Sequence, residues 1–206
     1  MTKLLYIKAS PRDAASRSVA VADAYLAALR AKTPDLEVDV LDPWTAGLPE
    51  FDGDRANAKL TVFGGGTNEG AQASRWDEIV AIAQRFASAD RYLFAIPMWN
   101  GGIPYKLKQY IDVIHQPGLL FGFDPEKGYL GLLANKQATL VYTSGAFSLD
   151  FPSPAFGVDH QSSYMRAWLN QAGIADITEI RYQPTILTAD PEGDFERAKA
   201  AAAAAA

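Results

Sequence analysis

The sequence has no cysteine among its 206 residues and only two histidines, His115 and His160. The lack of cysteine excludes disulfide frameworks, thiolate catalysis, iron–sulfur clusters and cysteine-ligated zinc. Two isolated histidines are too few for a histidine-rich metal site, so we expect no bound metal. A serine hydrolase of the triad type would have to use one of these two histidines as its base.

The sequence also lacks an excess of basic residues and long apolar runs. It has 19 lysines and arginines against 24 aspartates and glutamates, a net charge of −5, which argues against a nucleic-acid-binding surface. No apolar stretch approaches the roughly 20 residues that span a bilayer, and the N-terminal run 4–7 is too short for a signal peptide. We therefore expect a cytoplasmic protein with neither nucleic acid nor membrane among its partners.

What the sequence does contain is an alternation of short apolar strands and helical segments. Apolar runs that end in loop residues predict strands at 3–8, 36–41, 91–96, 137–143 and 177–182, and glycines with aromatics predict a hairpin within 118–132. Helical spacing predicts helices at 18–31, 54–63, 72–88, 104–115 and 159–172, and another from about 190 toward the alanine run 200–206. This order predicts one α/β domain over 1–206, a flavodoxin-like, doubly wound five-stranded parallel sheet with helices on both faces.

Three loops follow strands at the edge where such folds bind ligands, namely 9–17, 97–102 and 144–150. The first places the hydroxyls of Ser10, Ser16 and Ser18 at the start of a helix. Free backbone N–H groups and the positive end of the helix dipole predict a site for a single terminal phosphate there. A P-loop lysine and a Gly-x-Gly-x-x-Gly motif are both absent from this loop. The alternative is that Ser16 or Ser18 is only a helix N-cap.

The second loop offers flat apolar surface beside exposed main chain. Met98 and Trp99 are followed by Asn100 and by two glycines, Gly101 and Gly102. A planar heteroaromatic ring would rest on this surface, with its edge atoms bonded to backbone amides and to the Asn100 side chain. The alternative is an ordinary turn that buries a tryptophan and a methionine.

Three motifs occur in order between residue 3 and about residue 182: Lys-Ala-Ser-Pro-Arg with Ser16-Arg17-Ser18, then Pro-Met-Trp-Asn-Gly-Gly-Ile-Pro from Pro97 followed by Leu107-Lys108, and Thr143-Ser144-Gly145. Together they resemble the FMN-dependent NAD(P)H azoreductases and quinone reductases. The resemblance implies bound FMN, NADH or NADPH as electron donor, and a quinone or azo compound as acceptor. Hydride would pass through flavin N5 in a ping-pong scheme.

The resemblance also implies site residues and an assembly. The residues implied are Ser10, Ser16, Arg17 and Ser18 around the phosphate; Pro97, Met98, Trp99, Asn100 and Gly101 along the isoalloxazine ring; and Ser144, Gly145, Ala146 and Phe147 at its pyrimidine edge. The implied assembly is a homodimer with active sites at the subunit interface. The segment 121–129 of the predicted hairpin would cover each active site. Phe121 and Phe123 are then substrate contacts, or else hairpin core.

The third motif departs from the resemblance. Ser144-Gly145-Ala146-Phe147 occupies the position where the family has an arginine- and glycine-rich run. Because charge near the ring tunes a flavin, the missing arginine and the added phenylalanine affect the expected reduction potential and acceptor preference. His160 is a candidate proton donor to the ring edge, or a helix-start residue without a catalytic role. Asp112 and His115 are expected to form a local i, i+3 pair.

Two other functions stay open at this point. One is a flavodoxin-type one-electron carrier, although the first loop lacks the Thr-x-Thr-Gly pattern. The other is a hydrolase that uses Ser144 with His160, although Ser144 does not lie in a Gly-x-Ser-x-Gly elbow.

Overall fold

The apolar runs of the sequence become the strands of one parallel sheet. The computed structural model describes residues 2–206, with strands β1 (Lys3–Lys8), β2 (Glu37–Leu41), β3 (Arg91–Pro97), β4 (Phe121–Asp124), β5 (Gly128–Gly131), β6 (Gln137–Thr143) and β7 (Asp176–Tyr182). Five of them pair in the order β2-β1-β3-β6-β7, and every neighbouring pair is parallel. Strands β4 and β5 form a separate antiparallel hairpin. The predicted fold class and hairpin are confirmed.

Residues 2–206 also form six α-helices, which lie between or after these strands. They are α1 (Arg17–Lys32), α2 (Gly53–Phe63), α3 (Gly70–Ala87), α4 (Tyr105–Ile114), α5 (His160–Ala172) and α6 (Pro191–Ala204). Capping side chains set the starts of several of them. In α2 Asp52 accepts from the Arg55 amide, and in α6 Asp190 accepts from the Gly193 amide, with proline at the start of the helix. Among residues 2–206, no helix is long and apolar enough to cross a membrane.

The sheet is covered on both faces by apolar side chains. Along β1, Leu5 and Ile7 face one cluster, which α3, α4 and α5 complete, while Leu4 and Tyr6 face the other, which α1 and α6 complete. This alternation is what a strand buried on both faces requires. The alanine run belongs to the packed end of α6, since Ala202 is fully buried there.

The strand order places the ligand-binding edge. The chain runs from β1 outward to β2 and then returns to the other side of β1 with β3, so the order reverses between β1 and β3. The loops after β1, β3 and β6 are therefore neighbours. The Ala9 amide donates to the Ala95 carbonyl at 3.0 Å, and the Met98 amide donates to the Thr143 carbonyl at 2.7 Å.

Candidate functional site

The loop after β1 gathers three buried hydroxyls at the start of α1. Ser10, Ser16 and Ser18 are 5%, 4% and 1% exposed, and the Oγ atoms of Ser16 and Ser18 are 3.1 Å apart. Ser16 Oγ also accepts from the Val19 amide at 3.3 Å, so Ser16 is the N-cap of α1. The first-turn amides of Arg17 and Ser18 have no acceptor within the helix. Hydroxyls and free amides at the positive end of a 16-residue helix form a donor set that fits a phosphate.

These hydroxyls and amides form what we call the phosphate cradle, and the Arg17 side chain beside it is engaged by α6. Its Nη2 lies 2.6 Å from Glu192 Oε1, and its guanidinium carbon lies 4.1 Å from the centroid of the Phe195 ring. Both partners belong to α6. In this structure Arg17 therefore offers the cradle its backbone amide, while its positive charge is paired with Glu192.

The loop after β3 is a tight turn with Asn100 and Gly101 at its centre. Trp99 and Gly102 exchange backbone hydrogen bonds of 2.9 and 3.0 Å, and φ is +50° at Asn100 and +82° at Gly101. Two consecutive positive φ values are the pattern of a type I′ turn, for which Asn-Gly is the preferred pair. Within residues 2–206, neither the Asn100 nor the Gly101 amide donates to a carbonyl. Two oriented donors thus stand free beside Met98 and Trp99.

His160 begins α5 directly against this turn. Its amide donates to the Gly101 carbonyl at 3.0 Å, and a Cβ on Gly101 would lie 3.7 Å from His160 Cδ2. The imidazole is exposed and lines the groove described below. The structure therefore places His160 beside the turn after β3.

Asp159 fixes the start of α5 and with it the position of His160. Its Oδ1 accepts from the amides of Gln161 and Ser162 at 3.1 and 2.8 Å, and Arg181 Nη1 lies 3.5 Å from Oδ2. Burial raises the pKa of the Asp159 carboxyl, but the hydrogen bonds from Ser162 and Gln161 and the charge of Arg181 outweigh burial. The pKa of Asp159 is consequently lowered.

Asp159→Asn tests this charge. A carboxyl with a pKa lowered below its unfolded value of about 3.9 stabilises the fold above that value, and this contribution disappears as pH falls through the folded-state pKa. We expect the variant to lower the free energy of unfolding at pH 7 by roughly 1–2 kcal/mol. Urea unfolding at pH 7 and pH 3 should show a smaller deficit at the lower pH. A deficit independent of pH would show that the Asp159 charge has no such role.

In the loop after β6, Ser144 is buried and its hydroxyl is already engaged. Ser144 Oγ donates to the Phe147 carbonyl at 2.5 Å, and the Phe147 ring packs beside Gly157, where an added Cβ would lie 3.6 Å from Phe147 Cδ2. Gly145 and Ala146 are exposed between them, so they are the part of the third motif open to a ligand. Among residues 2–206, Ser144 has no histidine partner, and the hydrolase alternative therefore has no nucleophile–base pair.

An aromatic cluster of Trp44, Trp99 and Tyr105 lies at the sheet edge that carries the three loops, and the sequence did not predict it. The Trp44 ring lies 5.4 Å from that of Trp99 and 5.1 Å from that of Tyr105, and Trp44 Nε1 donates to the Ala9 carbonyl at 3.1 Å. Trp44 follows the Asp42-Pro43 stop of β2, which pairs with β1. The sequence signal that could have indicated this cluster is a tryptophan placed directly after β2, the strand that pairs with β1.

Trp44→Phe tests the bond to Ala9, because it removes the indole N–H and keeps an aromatic ring. We expect the free energy of unfolding to fall by about 1 kcal/mol and FMN affinity to fall a few-fold, since Ala9 precedes Ser10. Urea unfolding and fluorescence titration with FMN measure the two effects. Trp76→Phe, the same change on α3, is the matched control. Equal behaviour of the two variants would contradict a role for Trp44 in holding the first loop.

An open groove of about 1140 Å³ adjoins the turn. Ile103 and Tyr164 contribute to its apolar wall, and Tyr105, Lys106 and His160 also line it. The groove is large enough for a nicotinamide or a flat acceptor, since ligand sites in proteins measure about 300–1,000 Å³.

The two hairpin phenylalanines do not line this groove in their own chain. Phe121 is 3% exposed, with its ring 4.5 Å from His115 and 5.2 Å from Tyr129. Phe123 is 49% exposed. Phe121 thus packs as hairpin core, which was the alternative considered for it, and Phe123 is the exposed one of the two.

The expected pair of Asp112 and His115 does not form, and that prediction is wrong. Asp112 accepts from Lys108 Nζ one turn earlier at 2.5 Å, while His115 Nε2 lies 3.1 Å from Gln171 Oε1 on α5. Burial lowers the pKa of His115 to about 4, so this ring is neutral near pH 7.

Residues 2–206 contain no group of three or more acidic or histidine side chains that could hold a metal ion.

Comparison with known proteins extends these observations. A family profile described as flavodoxin-like fold matches residues 2–206. An FMN-dependent NADH:quinone oxidoreductase of Ruegeria pomeroyi is 53% identical over 205 residues, 100% of both chains, and one of Desulfotalea psychrophila is 42% identical over 186 residues, 90% of this chain and 87% of its own. The crystal structure of an azoreductase from Bacillus anthracis is 25% identical, covers 100% of this chain and 98% of its own, and superposes with a TM-score of 0.87.

Proposed function

Because the chain belongs to the flavodoxin-like family that includes the FMN-dependent NADH:quinone oxidoreductases, we propose that it oxidises NADH or NADPH with bound FMN and reduces quinones or azo compounds. The observation that supports this most strongly is the placement of a serine-lined phosphate cradle and a turn with two free amides at adjoining strand ends. The names of the relatives agree with it.

The cradle and the turn divide the binding of FMN between them. Ser10, Ser16 and Ser18 would bond the phosphate oxygens together with the first amides of α1, so no basic side chain is needed in direct contact. Arg17, paired with Glu192, would contribute through its amide.

The ring contacts in this proposal come from the second and third loops. Pro97, Met98 and Trp99 would line the ring, and the amides of Asn100 and Gly101 would orient its edge. The exposed segment Gly145-Ala146 would approach the pyrimidine side. The hydrogen bond between Ser144 and Phe147 would hold that segment in position. FMN, when bound, supplies hydride transfer at N5, so the chain needs no nucleophile of its own. In this proposal His160, which lies beside the turn, would donate a proton near the ring edge.

We propose a homodimer in which the hairpin of one copy covers the groove of the other. Phe123 exposes half of its surface and packs against Phe63 and Tyr129, which are also half-exposed. A contiguous apolar patch of this kind is typical of an interface. Since Phe123 lines no part of the groove of its own chain, it would reach an acceptor only across a subunit boundary.

We also propose that the protein is cytoplasmic, where NADH and NADPH are available as electron donors. We expect neither nucleic acid nor a membrane surface among its partners. Both surfaces are negatively charged, and a protein with a net charge of −5 is not attracted to them electrostatically.

The test is direct. Purified protein should be yellow, denaturation should release FMN, and anaerobic mixing with NADH should bleach the flavin, which a naphthoquinone or an azo dye should then restore. Failure to bind FMN would refute the proposal. FMN binding without steady-state NAD(P)H oxidation would instead favour the one-electron carrier.

A further inference from the structure

Gln161 lies in the first turn of α5 and joins two segments at the ligand-binding edge of the sheet. Its side chain is 0% exposed. Its Nε2 donates to the Ile96 carbonyl near the end of β3 at 3.0 Å, and its Oε1 accepts from Nε2 of Gln183, which directly follows β7, at 3.0 Å. A buried amide needs partners for both its nitrogen and its oxygen, and these two bonds supply them.

The two ends of this hydrogen-bond chain fix its direction. A backbone carbonyl can only accept, so the amide nitrogen of Gln161 must face Ile96. At the other end lies Arg181, which can only donate: its Nη1 is 3.1 Å from Gln183 Oε1 and 3.5 Å from Asp159 Oδ2. Each of the two amides therefore has only one orientation that keeps all of these bonds.

Gln161 and its neighbour His160 hold the two ends of the loop after β3. The bond from Gln161 to the Ile96 carbonyl lies just before the segment 97–100. The bond from the His160 amide to the Gly101 carbonyl, at 3.0 Å, lies just after it. Two consecutive residues of α5 thus fix the segment that would line the flavin ring.

Gln183 extends the chain to the loop after β6, because the residues that follow it bond that loop directly. The Thr185 amide lies 2.8 and 3.0 Å from the carbonyl oxygens of Ser144 and Gly145. The Ile186 amide donates to the Gly145 carbonyl at 3.1 Å. The buried amides therefore link the loop after β3 to the loop after β6.

We propose that Gln161 is a positioning residue for the flavin ring, because its two bonds set the distance between these two loops. Its side chain has no exposed surface, so it acts through the loops and not by contact with the flavin. The inference rests on the proposed function. Since the phosphate cradle lies at the start of α1, outside the chain, loss of Gln161 should weaken the binding of FMN and of riboflavin by the same factor.

Gln161→Met tests this role, since methionine has a similar length and makes neither bond. We expect the affinities of the full-length protein for FMN and for riboflavin each to fall about three- to tenfold, measured by fluorescence titration. The visible circular dichroism of the protein saturated with FMN should also change, because this signal depends on how the ring is held.

Gln116→Met is the matched control. Gln116 is also 0% exposed, and its Nε2 also donates to backbone carbonyls, those of Asp112 and Val113 on α4 at 2.7 and 3.0 Å. This variant should lose a comparable free energy of unfolding in urea but keep the flavin affinities and the visible spectrum of the wild-type protein. The comparison separates positioning of the ring from loss of stability alone.

Gln183→Met breaks the same chain from its other side. Residues that act through one shared bond are not additive, so the variant with both changes should bind flavin about as well as the weaker of the two single variants. Losses that multiply would overturn the proposal. Unchanged flavin affinity and visible spectrum in Gln161→Met, or a loss of FMN affinity without loss of riboflavin affinity, would also overturn it. A wild-type protein that binds no flavin would instead refute the proposed function.

Discussion

Replacing Ser16 by aspartate is expected to weaken FMN binding by at least tenfold, and by up to several hundredfold, without destabilising the apoprotein. Ser16 is the N-cap of α1, and serine, asparagine and aspartate serve that position about equally well. The aspartate carboxylate would stand where the phosphate charge must lie. Two unit charges 4 Å apart repel by about 4 kcal/mol at an effective dielectric constant of about 20, and every 1.4 kcal/mol is tenfold in affinity.

Ser16→Asn is the matched control, because asparagine has nearly the shape of aspartate, also serves as an N-cap, and carries no charge. We expect it to bind FMN within a few-fold of the wild-type protein. Riboflavin, which lacks the phosphate, should bind both variants with the same affinity. Fluorescence titration with the two flavins gives all four values. Equal losses of FMN affinity in both variants would mean that the phosphate lies elsewhere.

The sequence was sufficient to predict the fold and the sheet edge that carries the candidate site. Buried parallel strands leave long apolar runs, and each turn back to a helix leaves glycine, proline or a capping residue. Since strands β1, β3 and β6 are adjacent, the polar residues that follow them had to meet. Ser10, Asn100 and Ser144 could be located by this argument without knowledge of any side-chain conformation.

Side-chain direction depends on partners far along the chain and was not predictable in the same way. Arg17 lies between two cradle serines in sequence, but Glu192 on α6 binds its guanidinium. Asp112 had Lys108 and His115 within one turn, and only the packing of α5 places Gln171 beside His115. Trp44 is separated from the loop after β3 by more than fifty residues, so no local sequence pattern indicated its contact with Trp99.

The tight turn at Gly101 gives the second large effect, because valine there cannot keep the backbone conformation. With φ at +82°, a β-branched residue is a conformational outlier, and left-handed backbone costs non-glycine residues about 1–2 kcal/mol. A Cβ would already lie 3.4 Å from the Val158 carbonyl oxygen, which leaves little room for the two valine methyls. We expect Gly101→Val to shift the amides of Asn100 and residue 101 and to lower FMN affinity at least about tenfold.

Gly118→Val separates displacement of these amides from backbone strain alone. Gly118 has a similar φ of +76°, and a Cβ there would meet nothing within 4 Å. Both valine variants should therefore lose about 1–2 kcal/mol in free energy of unfolding, measured by urea unfolding of the apoproteins. Only Gly101→Val should also lose FMN, measured by fluorescence titration. If both variants bind FMN like the wild-type protein, the flavin ring is not oriented by this turn, and its hydrogen bonds must come from the loop after β6 instead.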